Sequence, residues 1–190
     1  MAENTLPMND LILWLVRHGE TTWNAEHKIS GWVDVQLSAR GVEMAKRLRP
    51  LLEAEQFDAV HSSDLLRARH TGELALRSGV ADARLRELDF GPLEGLNWLT
   101  MDECDREAVL AFSEDCTRGG ETISAFEQRV FHFIEELNPG KHLLFVHGGL
   151  IRLVLRQVGA DRFVPPTTVA VVNWTQRQLL ALHLPEEVAH

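Results

Sequence analysis

Leu11-Ile12-Leu13-Trp14-Leu15-Val16, followed at once by Arg17-His18-Gly19-Glu20, is the stretch on which the fold turns. Six apolar residues run without alternation, as they do in a strand buried on both faces, which points to a parallel sheet covered by helices. Asp10 and Arg17 bound the run, which is too short for a membrane span or a signal core. Working outward, residues 57–61 read as a second short strand, 84–88 as a third strand edge and 142–146 as another buried strand. Residues 169–174 and 178–184 read as closing strands, with a turn near Thr175 to Arg177.

Helical periodicity fills the intervals. Ser38 is placed to cap a helix over 41–53, with Val42, Ala45, Leu48 and Leu52 on one face. A second helix starts after the capping cluster Ser62-Ser63-Asp64 and carries Leu65, Ala68, Leu74 and Leu76. Residues 121–137 form an amphipathic helix, with Ile123, Phe126, Val130, Phe133 and Ile134 on one side, closed by Asn138-Pro139-Gly140. Gly148-Gly149 leads into a further helix ending near 158. Strands alternating with helices predict an α/β three-layer sandwich: a doubly wound, mostly parallel sheet with helices on both faces, as a single domain over 1–190. Residues 91–117 are the least patterned and read as a lid-like segment. There Leu93, Leu96, Trp98, Leu99 and Met101 fit either an apolar wall or an inward-packing helix.

Composition narrows the class. The chain has 190 residues, 45 % apolar and 25 % charged, with a formal net charge of −9. That size supports one domain with a substantial core. The acidic balance argues against a nucleic-acid or anionic-membrane surface, which basic patches bind. Cys104 and Cys116 form no CxxC pair and read as lone thiols of a cytoplasmic protein.

In doubly wound folds ligands bind at the carboxyl ends of the strands. Arg17-His18-Gly19-Glu20 follows the first expected strand, Ser62-Ser63-Asp64-Leu65-Leu66-Arg67 the second, Glu87 ends the third, and His147-Gly148-Gly149 follows the next. Two arginines, two histidines and a carboxylate thus share one crevice. The planar guanidinium donates paired hydrogen bonds to phosphate oxygens, and glycines let backbone amides approach an anion closely.

Leu15-Val16-Arg17-His18-Gly19-Glu20-Thr21 with Trp23-Asn24 resembles the signature of the histidine phosphatase superfamily, the phosphoglycerate mutase-like fold. Ser30-Gly31-Trp32-Val33-Asp34, Leu37-Ser38-Ala39-Arg40-Gly41, Ser62 to Ala68 with Thr71, Arg86 to Gly91 with Glu94-Gly95, Gly120-Glu121-Thr122 and His147-Gly148-Gly149 resemble its later motifs. The resemblance implies that His18 attacks phosphorus in line as neutral imidazole and becomes a phosphohistidine, its other ring nitrogen held by a backbone carbonyl. It implies that Arg17, Arg67 and His147 clamp the phosphoryl oxygens, with Asn24 as a further donor and Thr21, Ser30 and Gly148 among the phosphate-binding residues. Glu87 is the implied acid, protonating the leaving oxygen and then serving as base toward water. It must hold a proton near neutral pH, and partial burial beside a dianionic phosphate raises a carboxyl pKa in that direction.

Asp89, Glu94 and Glu121 are neighbouring carboxylates, of which Glu121 reads as support for a helix start. Trp23 and Trp32 fit either a substrate mouth or packing. Ser30 stands where several phosphatases of the superfamily carry a phosphate-binding glutamine, so its contact is open. No metal or other cofactor is implied: there is no HExxH, no paired-cysteine site, and His27, His61, His70, His132, His142, His183 and His190 show no ligand spacing. The expected partner is a small phosphorylated substrate, in a monomer or a homodimer, with no nucleic acid and no membrane.

Mutases of the superfamily use the same residues. Sixty positions separate Glu87 from His147 and 43 residues follow His147; mutases carry more chain in both places, closing over the phosphoenzyme to keep water out. The shorter interval favours hydrolysis, in the manner of α-ribazole or broad-specificity phosphatases. A mutase and a non-catalytic module that binds phosphorylated ligands are the alternatives.

Overall fold

The computed structural model describes residues 9–185; residues 1–8 and 186–190, the ends of the expected domain and His190 among them, lie outside the described residues. In chain order the first half holds β1 (Leu11–Arg17), α1 (Thr22–Ala25), α2 (Ala39–Arg47), α3 (Arg49–Glu53), β2 (Ala59–Ser63), α4 (Leu66–Ala75) and β3 (Val80–Asp82). The second half holds α5 (Glu103–Ala111), α6 (Ile123–Glu135), β4 (Gly140–Val146), α7 (Gly148–Gln157), β5 (Val169–Asn173) and β6 (Gln178–His183).

The six strands form one sheet in the order β3-β2-β4-β1-β5-β6. β3, β2, β4 and β1 run parallel, while β5 pairs antiparallel with β1 and β6 antiparallel with β5. β1 explains its own composition. Leu11, Leu13 and Leu15 face one core with Phe126, Val130 and Ile134 of α6 and Leu150, Ile151 and Val154 of α7. Ile12, Trp14 and Val16 face the other, with Leu48, Leu52 and Ala75 from the α2–α4 layer. Both sides of the strand are dry, so no position is free to be polar. The sheet is therefore doubly wound between two helical layers, as the alternation predicts. Among the described residues, no helix is long and apolar enough to cross a membrane.

Five local expectations change. The helix expected over 41–53 is two, α2 and α3, because Pro50 lacks an N–H and sits at the start of a new helix. The second strand starts two residues later than read. The Ser62-Ser63-Asp64 cluster does not cap α4; the carboxylate of Asp34 instead accepts the Leu66 N–H at 2.7 Å, from 32 residues away. The third strand is Val80–Asp82, followed by a 3₁₀ turn over Ala83–Leu85, so Glu87 stands on a loop rather than at a strand end. Finally, segment 91–117 is neither a wall nor one helix: Leu93 and Met101 join the core, whereas Leu96 and Leu99 are exposed.

Candidate active site

β1 and β4 lie side by side, with Arg17 opposite Val146, so the residues that follow each strand emerge together. The His18 N–H donates to the Val146 carbonyl at 3.0 Å. The rings of His18 and His147 consequently meet edge to face, their centroids 5.2 Å apart. Both histidines are buried, as are Arg67 and Glu87.

His18 Nδ1 lies 2.7 Å from the Gly19 carbonyl oxygen. A carbonyl only accepts, so Nδ1 carries the hydrogen and Nε2 keeps its lone pair. Burial, with Arg67 and Arg17 close by, holds the His18 imidazole well below its ordinary pKa. Burial, then Arg67, His18, Arg129 and Arg17, does the same to His147. Both rings are neutral across the physiological range, and His18 presents a free nitrogen to an electrophile.

Each arginine is oriented by backbone carbonyls. Arg67 donates to the Gly31 carbonyl at 2.6 Å and the Val33 carbonyl at 3.1 Å. The Glu94 carboxylate grips the other edge of that loop, accepting the N–H groups of Trp32 at 2.7 Å and Val33 at 2.8 Å. Burial lowers the Arg67 pKa to about 10. Arg17 donates to the Val164 carbonyl, and burial lowers its pKa too. Thr71 ties the nucleophile's turn to α4: it accepts the Gly19 N–H at 3.0 Å and donates to the Arg67 carbonyl at 2.7 Å.

Glu87 reaches the same place from its loop. Its Oε2 accepts the Gly149 N–H at 2.9 Å and its Oε1 the Leu88 N–H at 3.0 Å. The glycine pair of α7 leaves room for two site side chains: a Cβ on Gly148 would lie 3.2 Å from the Arg17 guanidinium carbon, and one on Gly149 would lie 2.3 Å from Glu87 Oε1. His18, His147, Arg17, Arg67, Glu87 and Gly148 are thus brought together.

The remaining expected residues sit differently. Thr21 and Asn24 cap α1 reciprocally, with Oγ1 accepting the Asn24 N–H and Oδ1 accepting the Thr21 N–H, each at 3.0 Å. Ser30 is half-buried beside Gly31. Trp32 donates its indole N–H to the Glu87 carbonyl at 2.8 Å, so it packs against the site. Glu121 pairs with Arg129 at 2.6 Å rather than serving only a helix start.

Sequence reasoning missed Arg129 altogether, and the parts played by Glu94 and Asp34. All three act on main-chain atoms of segments distant in sequence, for which spacing along the chain carries no signal.

Among the described residues, the buried side-chain nitrogens and oxygens without a hydrogen-bond partner are Arg17 Nε, Arg67 Nε and both ring nitrogens of His147. All four belong to this cluster. Buried unpaired polar groups cost about 1–3 kcal/mol each, so such a concentration marks a place built for a polar ligand. The two arginine Nε–H groups and the one ring N–H of neutral His147 are donors, and beside a neutral nucleophilic nitrogen they suit an anion with several oxygens. Among the described residues no group of three or more His, Cys, Asp or Glu is arranged to hold a metal ion.

Comparison with known proteins gives the cluster a context. Residues 13–183 match the profile of the histidine phosphatase superfamily (branch 1). The chain is 35 % identical over 158 residues to the adenosylcobalamin/α-ribazole phosphatase of Escherichia coli (strain K12), covering 77 % of this chain and 78 % of that protein. It is 33 % identical over 170 residues to a 2,3-bisphosphoglycerate-dependent phosphoglycerate mutase of Afipia carboxidovorans, covering 78 % and 81 %. A crystal structure of a phosphoglycerate mutase from Thermus thermophilus superposes with a TM-score of 0.83 at 46 % identity, over 90 % of this chain and 98 % of that one.

Proposed function

The chain belongs to the histidine phosphatase superfamily, and from that premise we propose that it is a phosphomonoester hydrolase working through a phosphohistidine on His18. The observation that carries the reading is the set of four unpaired buried nitrogens around a neutral His18 whose Nδ1 is already bonded. In the first half-reaction the Nε2–P bond forms while the P–O bond to the leaving group breaks, and the Glu87 carboxyl proton passes to the leaving oxygen. In the second, Glu87 takes a proton from water, whose oxygen attacks phosphorus and releases His18 and orthophosphate. Arg17, Arg67 and His147 hold the equatorial oxygens through both steps. Asn24, Thr21, Ser30 and Gly148 complete the proposed phosphate contacts.

The substrate class is a small phosphorylated metabolite, handled without a metal ion by a cytoplasmic protein. The α-ribazole phosphatase relative supports hydrolysis. The mutase relatives favour a second reading, in which the phosphoryl group returns to a phosphorylated acceptor.

The test follows orthophosphate release from p-nitrophenyl phosphate and a panel of phosphorylated metabolites, in excess EDTA, for the native chain and His18→Ala. Hydrolysis that survives EDTA and disappears in His18→Ala is expected. Activity persisting in the variant would assign the wrong nucleophile. Phosphoryl exchange between metabolites without net release would favour the mutase. A melting temperature raised by orthophosphate or vanadate, with no turnover of any kind, would leave a binding module.

A further inference from the structure

Glu87 stands on a loop with no strand to hold it, yet a general acid must be placed to within a fraction of an ångström. The loop is held from α6. Arg129 Nη1 donates to the carbonyls of Arg84 and Arg86, both at 2.8 Å, and Nη2 donates to the carbonyl of Glu87 itself at 2.7 Å. The rest of the fork is fixed by Glu121, whose carboxylate accepts from Nε at 2.6 Å and from Nη2 at 2.7 Å. Trp32 adds its indole N–H to the same Glu87 carbonyl, and its ring lies under the guanidinium of Arg86, 4.8 Å from the centroid.

We infer that Arg129 is a positioning residue for the acid: through three loop carbonyls it fixes where the Glu87 carboxyl sits, without touching the substrate. This rests on the reading of Glu87 as proton donor to the leaving oxygen. Only a planar guanidinium meets three carbonyls and a bidentate carboxylate at once. A lysine in its place keeps the charge and loses most of the grip. If placement is what Arg129 supplies, its removal slows only reactions whose leaving group needs the proton. p-Nitrophenolate departs unprotonated, whereas an alkoxide does not.

The experiment compares kcat/KM, which reports formation of the phosphoenzyme, for p-nitrophenyl phosphate and for an alkyl phosphomonoester that the native chain hydrolyses. Arg129→Gln is expected to lower the alkyl value by about 10- to 100-fold, within the 10²–10⁴-fold worth of a general acid, and the nitrophenyl value by less than about threefold. Arg129→Lys is expected to fall nearer to Arg129→Gln than to the native chain. In a Glu87→Gln background, Arg129→Gln is expected to add nothing. Because Arg129→Gln strands the carboxylate of Glu121, Arg129→Gln/Glu121→Gln is made beside it to keep the fold testable, with the same expected pattern.

Equal losses on both esters, full recovery with lysine, or losses that add to those of Glu87→Gln would overturn the inference while leaving the hydrolase standing. Failure of the native chain to turn over either ester, or unchanged turnover in His18→Ala, would instead overturn the reading on which it rests.

Discussion

The carboxylate of Glu87 occupies the space where a side chain on Gly149 would begin: the Gly149 N–H donates to Oε2 at 2.9 Å, and a Cβ there would lie 2.3 Å from Oε1. The obstructing atom is the end of a flexible side chain, so the fold tolerates an added methyl by moving the acid. Alanine is also the better helix former, by up to about 1 kcal/mol. Gly149→Ala is therefore expected to keep or raise the unfolding midpoint in urea. Its kcat/KM on an alkyl phosphomonoester is expected to fall by about tenfold or more, within the span of a general acid. A folded variant with native activity on that ester would separate Glu87 from proton donation.

The neutral histidines set a pH dependence of stability. His18 and His147 titrate well below the usual imidazole range when folded, while in the unfolded chain they titrate near 6.5. Below about pH 6.5 the unfolded chain therefore binds protons that the folded chain does not, and stability falls as pH falls. Each such proton contributes a slope of about 1.4 kcal/mol per pH unit. Urea unfolding in phosphate-free buffer is expected to show a lower midpoint at pH 5 than at pH 7, and His147→Gln is expected to flatten that difference.

Glu94 reaches the phosphate clamp at one remove. It holds the amides of Trp32 and Val33, and the carbonyls of Gly31 and Val33 hold Arg67. Glu94→Ala frees that strap, and the expected result is weaker orthophosphate binding, by about 10- to 150-fold, as for the loss of one charge-assisted contact worth about 1.5–3 kcal/mol. Isothermal titration with orthophosphate measures it. Affinity equal to that of the native chain would mean that Arg67 keeps its pose without the loop.

Phe126 tests the core beneath the site. It is fully buried on α6, with the Phe112 ring centroid at 6.4 Å and the Arg129 guanidinium 4.6 Å from its own centroid. Phe126→Ala is expected to cost about 3–5 kcal/mol in urea unfolding. A loss under about 1 kcal/mol would mean that neighbouring side chains collapse into the space.

The doubly wound sheet was legible because β1 has one physical explanation: a strand with no polar position has no wet face. Ser38 was legible as a cap for the same kind of reason, its hydroxyl accepting the Gly41 N–H at 2.9 Å within one turn. His18, Arg17 and His147 followed from the rule that ligands gather at strand ends. Glu87 followed from the same rule by a wrong route: it was placed at the end of a third strand, but residues 84–88 lack any partner strand, and the resemblance alone gave it the acid's role. Arg129 lies on the amphipathic α6, where its position along the chain carries no sign of a role. Its role depends on carbonyls more than 40 residues away, and carbonyls are carried by every residue alike.

The segment from Gly31 to Asp34 carries two duties in four residues: its carbonyls orient Arg67, and its last side chain starts α4. A surface loop ordinarily accepts insertions and deletions, and lineages vary their loops freely. Here one residue more or fewer would put the helix cap and the arginine's acceptors out of step with each other. Evolution and engineers alike are left to vary this loop by substitution at fixed length.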